Sequence, residues 1–202
     1  INVTGLPANT TIYWKAFAEN TTGTAYTTQQ SFTTLQEFLA IGDLSILGFN
    51  TTNPDEFVFV NWAPIKPNMI LKFTDNGFNS GASANAADNG RGGENYAIWK
   101  NNTGLEIDPG TVIKVNGLNT TLGQIVSSNL TNITTTDQIF IYQGPSATGA
   151  NPEWTANTAT TLFSGNILFG LNIGLTGFLT TGSTSSSLSY LPSELNVEDG
   201  SI

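Results

Sequence analysis

The sequence predicts an all-β chain, and three observations carry that expectation. Short runs rich in Val, Ile, Thr and aromatic residues recur throughout the 202 residues, each bounded by Gly, Asn, Asp or Pro. No stretch of twelve residues keeps an apolar stripe at helical spacing. Several runs instead alternate apolar and polar residues with period two, which turns one face of a strand toward a core. A two-layer sandwich is the natural way to bury such strands.

The period-two segments are Ile12 to Ala18, Phe57 to Trp62, Met69 to Phe73, Val112 to Val115 and Gln138 to Tyr142. Each has turn chemistry beside it: LPAN before the first, NPDE before the second, DNG after the third, DPG before the fourth and QGP after the fifth. The longest apolar stretch, Ile167 to Leu179, carries Asn172, Thr176 and three glycines. At about thirteen residues it is too short and too polar for a bilayer span and is expected to be a buried strand. Residues 77–95 are almost all small or polar and predict a long loop, and residues 180–190 predict a second. The texture changes near residues 33–43, which places a domain boundary there and divides the chain into 1–35, a linker at 36–39, and 40–202.

Composition narrows the function classes. Hydrophobic residues at 39% suffice for a packed core, while charged residues at 10% leave Thr, Asn, Ser and Gly to make the surface. That surface suits the outside of a cell. Six basic residues, scattered singly, stand against fifteen acidic ones, for a net charge of −9. Nothing clusters enough cations to track a phosphate backbone, so nucleic acid is not expected as a partner. The chain has neither Cys nor His, which removes disulfides, thiolate chemistry and the usual neutral-pH base. The opening INVTGL shows no basic or apolar leader, so any signal peptide is expected to lie upstream or to have been removed.

The acidic residues divide by pattern. Asp55 and Glu56 are adjacent, so on a strand they point to opposite faces; a capping role in the NPDE turn fits better than paired acid and base. Glu106 and Asp108 share a strand face but precede the PG turn and are expected to face solvent. Asp75-Asn76-Gly77 and Asp88-Asn89-Gly90 are turn sequences that could also offer oxygen ligands to calcium. The carboxylates of such a site would be Asp75, Asp88 and Glu94. RGGEN lacks the strand-to-helix context of a phosphate loop and is expected to be plain loop. Trp14, Trp62 and Trp99 lie in strand-like segments where burial is the default, leaving Trp154 as the candidate ligand contact. Eight Asn-x-Thr sequons, at Asn2, Asn9, Asn20, Asn50, Asn101, Asn119, Asn129 and Asn132, are candidate glycosylation acceptors on exposed loops.

Two resemblances sharpen this picture. Residues 1–35 hold the turn GLPANT, the alternating strand IYWKAFAEN, a hairpin at NTTG and a closing strand ending SFTT. In that order they resemble the last three strands of a fibronectin type III domain. Ile12 stands where that family usually places a corner tyrosine. Residues 40–202 contain AIGDLSILGFNTTNPDEFVFVNWAPIKPNMILKFTDNGF, ENYAIWKNNTGLEIDPGTVIKV, TTDQIFIYQG and SYLPSEL, an order that resembles the lamin-tail-like β-sandwich modules of Bacteroidetes-type surface proteins. The chain departs from that pattern in an insert at Pro145 to Thr160 and in Phe178 where a Trp is usual. The resemblance implies an Ig-like, non-catalytic module outside the cell beside adhesive or enzymatic neighbours. An incomplete first sheet would need strands from elsewhere, because three strands cannot bury their own apolar faces. The expected role is structural assembly through sheet edges with neighbouring copies or domains as partners. The alternatives are a carbohydrate- or calcium-dependent adhesin and an accessory domain of a secreted enzyme.

Overall fold

The computed structural model describes residues 3, 6, 10–34, 38–52, 55–130, 133–144, 163–174 and 176–196. The described residues contain strands and turns and no helix. The first four strands, β1 (Thr11–Trp14), β2 (Phe17–Asn20), β3 (Gly23–Tyr26) and β4 (Gln30–Thr33), form one long antiparallel hairpin in two ladders. Ile12 pairs with Phe32 in the outer ladder and Phe17 with Tyr26 in the inner one. Between the ladders, one extra residue on the returning strand bulges it, and Thr27 donates its N–H to the Ala16 carbonyl at 2.9 Å.

Nine further strands build a sandwich. One sheet orders β12 (Asn119–Thr120), β11 (Val112–Asn116), β6 (Glu56–Asn61) and β5 (Leu44–Asn50). The other orders β13 (Gln124–Ser128), β10 (Tyr96–Lys100), β7 (Ile70–Thr74), β14 (Gln138–Gln143) and β15 (Asn166–Asn172). Every pairing in both sheets is antiparallel. Alternate residues of the two sheets meet between them: Leu44, Phe57, Phe59, Ile113 and Val115 from one side, Leu71, Phe73, Trp99, Ile139 and Ile141 from the other. The Phe57, Phe59, Phe73 and Trp99 rings lie in tilted and edge-on contacts with centroids 4.7–5.7 Å apart. Full burial of each such side chain is favourable by roughly 1.5–3 kcal/mol. This is the all-β sandwich expected from the period-two runs. The predicted linker residue Leu39 already belongs to its core and donates its N–H to Gln143 Oε1 at 2.6 Å.

The five-stranded sheet is covered on its second face as well. There Phe78, Phe140, Tyr142, Phe163, Ile167 and Leu195 form a second core. This explains why β7 and β14 are buried at every position rather than at every other one. The cover is the 77–95 segment, which holds the short pair β8 (Gly77–Phe78) and β9 (Gly90–Arg91), together with residues 163 and 178–195. Lys72 is buried in the same layer, its ammonium 5.9 Å from the centroid of the Tyr142 ring.

Candidate functional site

The 77–95 segment folds as a set of side-chain staples. Asn89 accepts from the Ser80 N–H and hydroxyl through Oδ1 and donates through Nδ2 to the carbonyls of Ala82 and Ser83. Glu194 reaches in to accept from the Ser83 hydroxyl and the Ala84 N–H. Asp88 adopts φ 58° as the third residue of the turn Ala86 to Asn89, which the Asn89 N–H closes on the Ala86 carbonyl at 3.2 Å, so the turn precedes the expected Asp-Asn-Gly and Gly90 already belongs to a strand. The other Asp-Asn-Gly, residues 75–77, forms no turn but joins β7 to β8 through extended chain, where Asn76 Oδ1 accepts the Glu94 N–H and Asn76 Nδ2 donates to Thr74 Oγ1.

Beneath this segment, burial raises two carboxyl groups. Asp75 is almost wholly buried; desolvation pushes it up to about 6 although Asn95 donates to both of its oxygens. Glu94 is pushed up to about 7, again by desolvation, against the pull of its ion pair with Arg91. The carboxylates that act on Glu94 are those of Asp75 and Asp137. The fold therefore brings Asp75 and Glu94 together and leaves Asp88 to its turn. Among the described residues no group of three or more acidic side chains is placed to hold a metal ion. What the arrangement does chemically is fasten the covering segment to β7 and β10.

The other acidic residues are engaged in the fold. Asp55 is buried and accepts the Ile133 N–H at 2.6 Å. Glu56 pairs with Lys114 at 3.1 Å, which holds its carboxyl below the usual range. Glu106 pairs with Lys66 at 2.5 Å on the surface.

The sequons fall into distinct environments. Asn20 and Asn50 are exposed, and each accepts both the N–H and the hydroxyl of the Thr two residues on. Asn119 is exposed; Asn129 is exposed too, but its Oδ1 accepts the Tyr96 N–H. Asn101 departs from the expectation of an exposed loop: it is wholly buried, and Nδ2 donates to the carbonyls of Ile65, Lys66 and Leu105. Asn2, Asn9 and Asn132 lie outside the described residues, as does Trp154.

The tryptophans correct one expectation. Trp99 is buried as predicted, with Nε1 donating to the Leu122 carbonyl at 2.7 Å, but Trp62 is 54% exposed and Trp14 49%. Trp62 follows β6 at the open end of the sheet and lays its ring back over β5, where Nε1 donates to Ser45 Oγ at 2.9 Å. Alternation places it on the outer face, which period two alone does not distinguish from the inner one.

An exposed apolar surface that sequence reasoning left unlocated is the hairpin. Tyr13, Trp14, Phe17, Tyr26 and Phe32 are each 47–68% exposed, and they occupy both faces of its two strands. Among the described residues no further strand pairs with either outer edge. No helix among the described residues is long and apolar enough to cross a membrane. The fold defines a class, an antiparallel β-sandwich preceded by a two-stranded hairpin. Comparison with family models, curated proteins and solved structures finds no match.

Proposed function

We propose that this chain is a non-catalytic structural module of a secreted, cell-surface or filament-forming protein, and that it works by assembly through β-sheet edges. One observation carries the reading: a hairpin with five aromatic side chains about half or more in solvent and, among the described residues, no strand paired to either edge. Isolated two-stranded hairpins are marginal in water, and open strands are templates for pairing. A partner that supplies strands relieves both problems at once, as in strand complementation. The resemblance of residues 1–35 to the end of a fibronectin type III domain fits the same need, and that of residues 40–202 to lamin-tail-like modules fits a surface location.

Light scattering and negative-stain imaging of the chain, before and after removal of residues 1–35, test the proposal. Assemblies that disappear on removal support it. Monodisperse monomers in both samples reject it.

A second reading, a carbohydrate-binding adhesin module, is favoured by the exposed indoles of Trp14 and Trp62. Quenching or shift of tryptophan fluorescence by glycans, lost in Trp62→Ala, would support it over assembly.

A further inference from the structure

We propose that the partner of the hairpin is a second copy of this chain, joined strand to strand along the edge of residues 14–20, which no described strand covers, in an antiparallel register centred on Phe17. This rests on the assembly reading above and adds the occupant, the edge and the alignment.

The edge follows from the hydrogen bonds. Ala16 turns its carbonyl to the Thr27 N–H at 2.9 Å and its own N–H to Thr27 Oγ1 at 3.0 Å, both toward the returning strand. Backbone groups alternate along a strand, so Lys15, Phe17 and Glu19 direct theirs to the open side. A two-fold axis at Phe17 sets outward groups against outward groups: Phe17 faces its own copy, and Lys15 of each copy faces Glu19 of the other.

Charge selects this edge. Lys15 and Glu19 are the only charged residues between Thr10 and Thr34, and both are exposed. Four residues apart on one strand, they are separated by about 13 Å and cannot pair with each other. The two-fold copy makes both pairs at once. The returning strand, Gly23 to Thr34, has no charge and offers no such code. The hairpin is also a neutral stretch of a chain carrying −9, so contact here avoids the repulsion that the rest of the two copies would meet. The product is a four-stranded sheet in which Tyr26, Phe17 and their symmetry mates stand in one cross-strand row. It exceeds the three strands needed for independent stability.

Sedimentation equilibrium of the full chain tests the register. Lys15→Glu and Glu19→Lys each convert two attractive cross-strand pairs into two repulsive ones and are expected to weaken association at least about fivefold. The double variant, with the charges exchanged, is expected to return to within about twofold of the parent. Both positions are solvent-exposed, so each variant is expected to fold, which circular dichroism would check. In a chain without cysteine, Phe17→Cys should cross-link to its copy under mild oxidation, since facing residues lie about 5.5 Å apart between Cα atoms. Thr28→Cys, on the other strand, should not. Association that is indifferent to all three charge variants and to Phe17→Cys overturns this register while leaving assembly through another surface standing. A chain that stays monomeric at every concentration overturns both, and hands the hairpin to a different segment or protein.

Discussion

Asp75 and Glu94 show how a single environment governs pH response. Both carboxyls titrate higher in the folded chain, about 6 and about 7, than they would when unfolded, because burial disfavours the charged form. The stability this confers is fully present below the unfolded carboxylate range and is lost as pH rises through 6 and 7. Denaturant unfolding is therefore expected to show a chain more stable at pH 5 than at pH 8, by on the order of 2 kcal/mol. Asp75→Asn combined with Glu94→Gln, neutral at both pH values, should flatten that slope; an unchanged slope would assign it to other groups. Asn101 makes the complementary case. Its amide serves three carbonyls and its Oδ1 accepts from Thr103, so Asn101→Ala should cost about 3 kcal/mol or more, measured by the same denaturation. As a sequence feature Asn101 was one sequon among eight. Only the fold shows that it is a buried strut, since Asn-x-Thr marks an acceptor on the surface and an Asx turn in the interior equally well.

At the scale of elements, glycine separates conformational need from space. Gly123 sits between β12 and β13 with φ +76°, and a Cβ there would come within 2.5 Å of the Trp99 ring. Gly177 has φ +66° with open space around it. Gly177→Ala should cost about 1 kcal/mol, for the left-handed conformation alone. Gly123→Ala adds the collision with a fully buried indole and should cost about 2–4 kcal/mol; equal melting shifts for the two would show that the Trp99 contact gives way freely. The strands themselves were legible where one face is wet: β11 and the first half of β6 alternate, and the turn before β11 is written in DPG. Residues 77–95 were not legible in the same way, because small polar residues describe an irregular cover as readily as a loose loop. What fastens this cover is Phe78 in the second core and the side-chain bonds of Asn89 and Glu194, a pattern with no period. Trp62 failed for a related reason, since period two gives the alternation and not which face meets the core.

Among the described residues, the molecule joins a sandwich packed on both faces of its five-stranded sheet to a hairpin without a buried core. The sandwich buries Trp99, Tyr142 and the Phe residues of both layers, whereas β2, β3 and β4 are exposed at every position. Among the described residues the ladders of the hairpin run between its own strands alone. Stability should therefore be divided along the chain, with opening free energies near zero in the hairpin and near the global value in β7, β10 and β14. Native-state hydrogen exchange resolves this directly. In dilute solution, amides from Thr11 to Thr33 should exchange with little protection, and removing residues 1–34 should move the unfolding free energy of the sandwich by less than about 0.5 kcal/mol. As concentration rises into the range where copies associate, the amides of Phe17 and Glu19 should slow, because their N–H groups enter a new ladder, while those of the sandwich stay unchanged. Protection that is already high in dilute monomer would mean that the hairpin is stabilised without a partner, and the exposed aromatic rows would then need a different purpose from assembly.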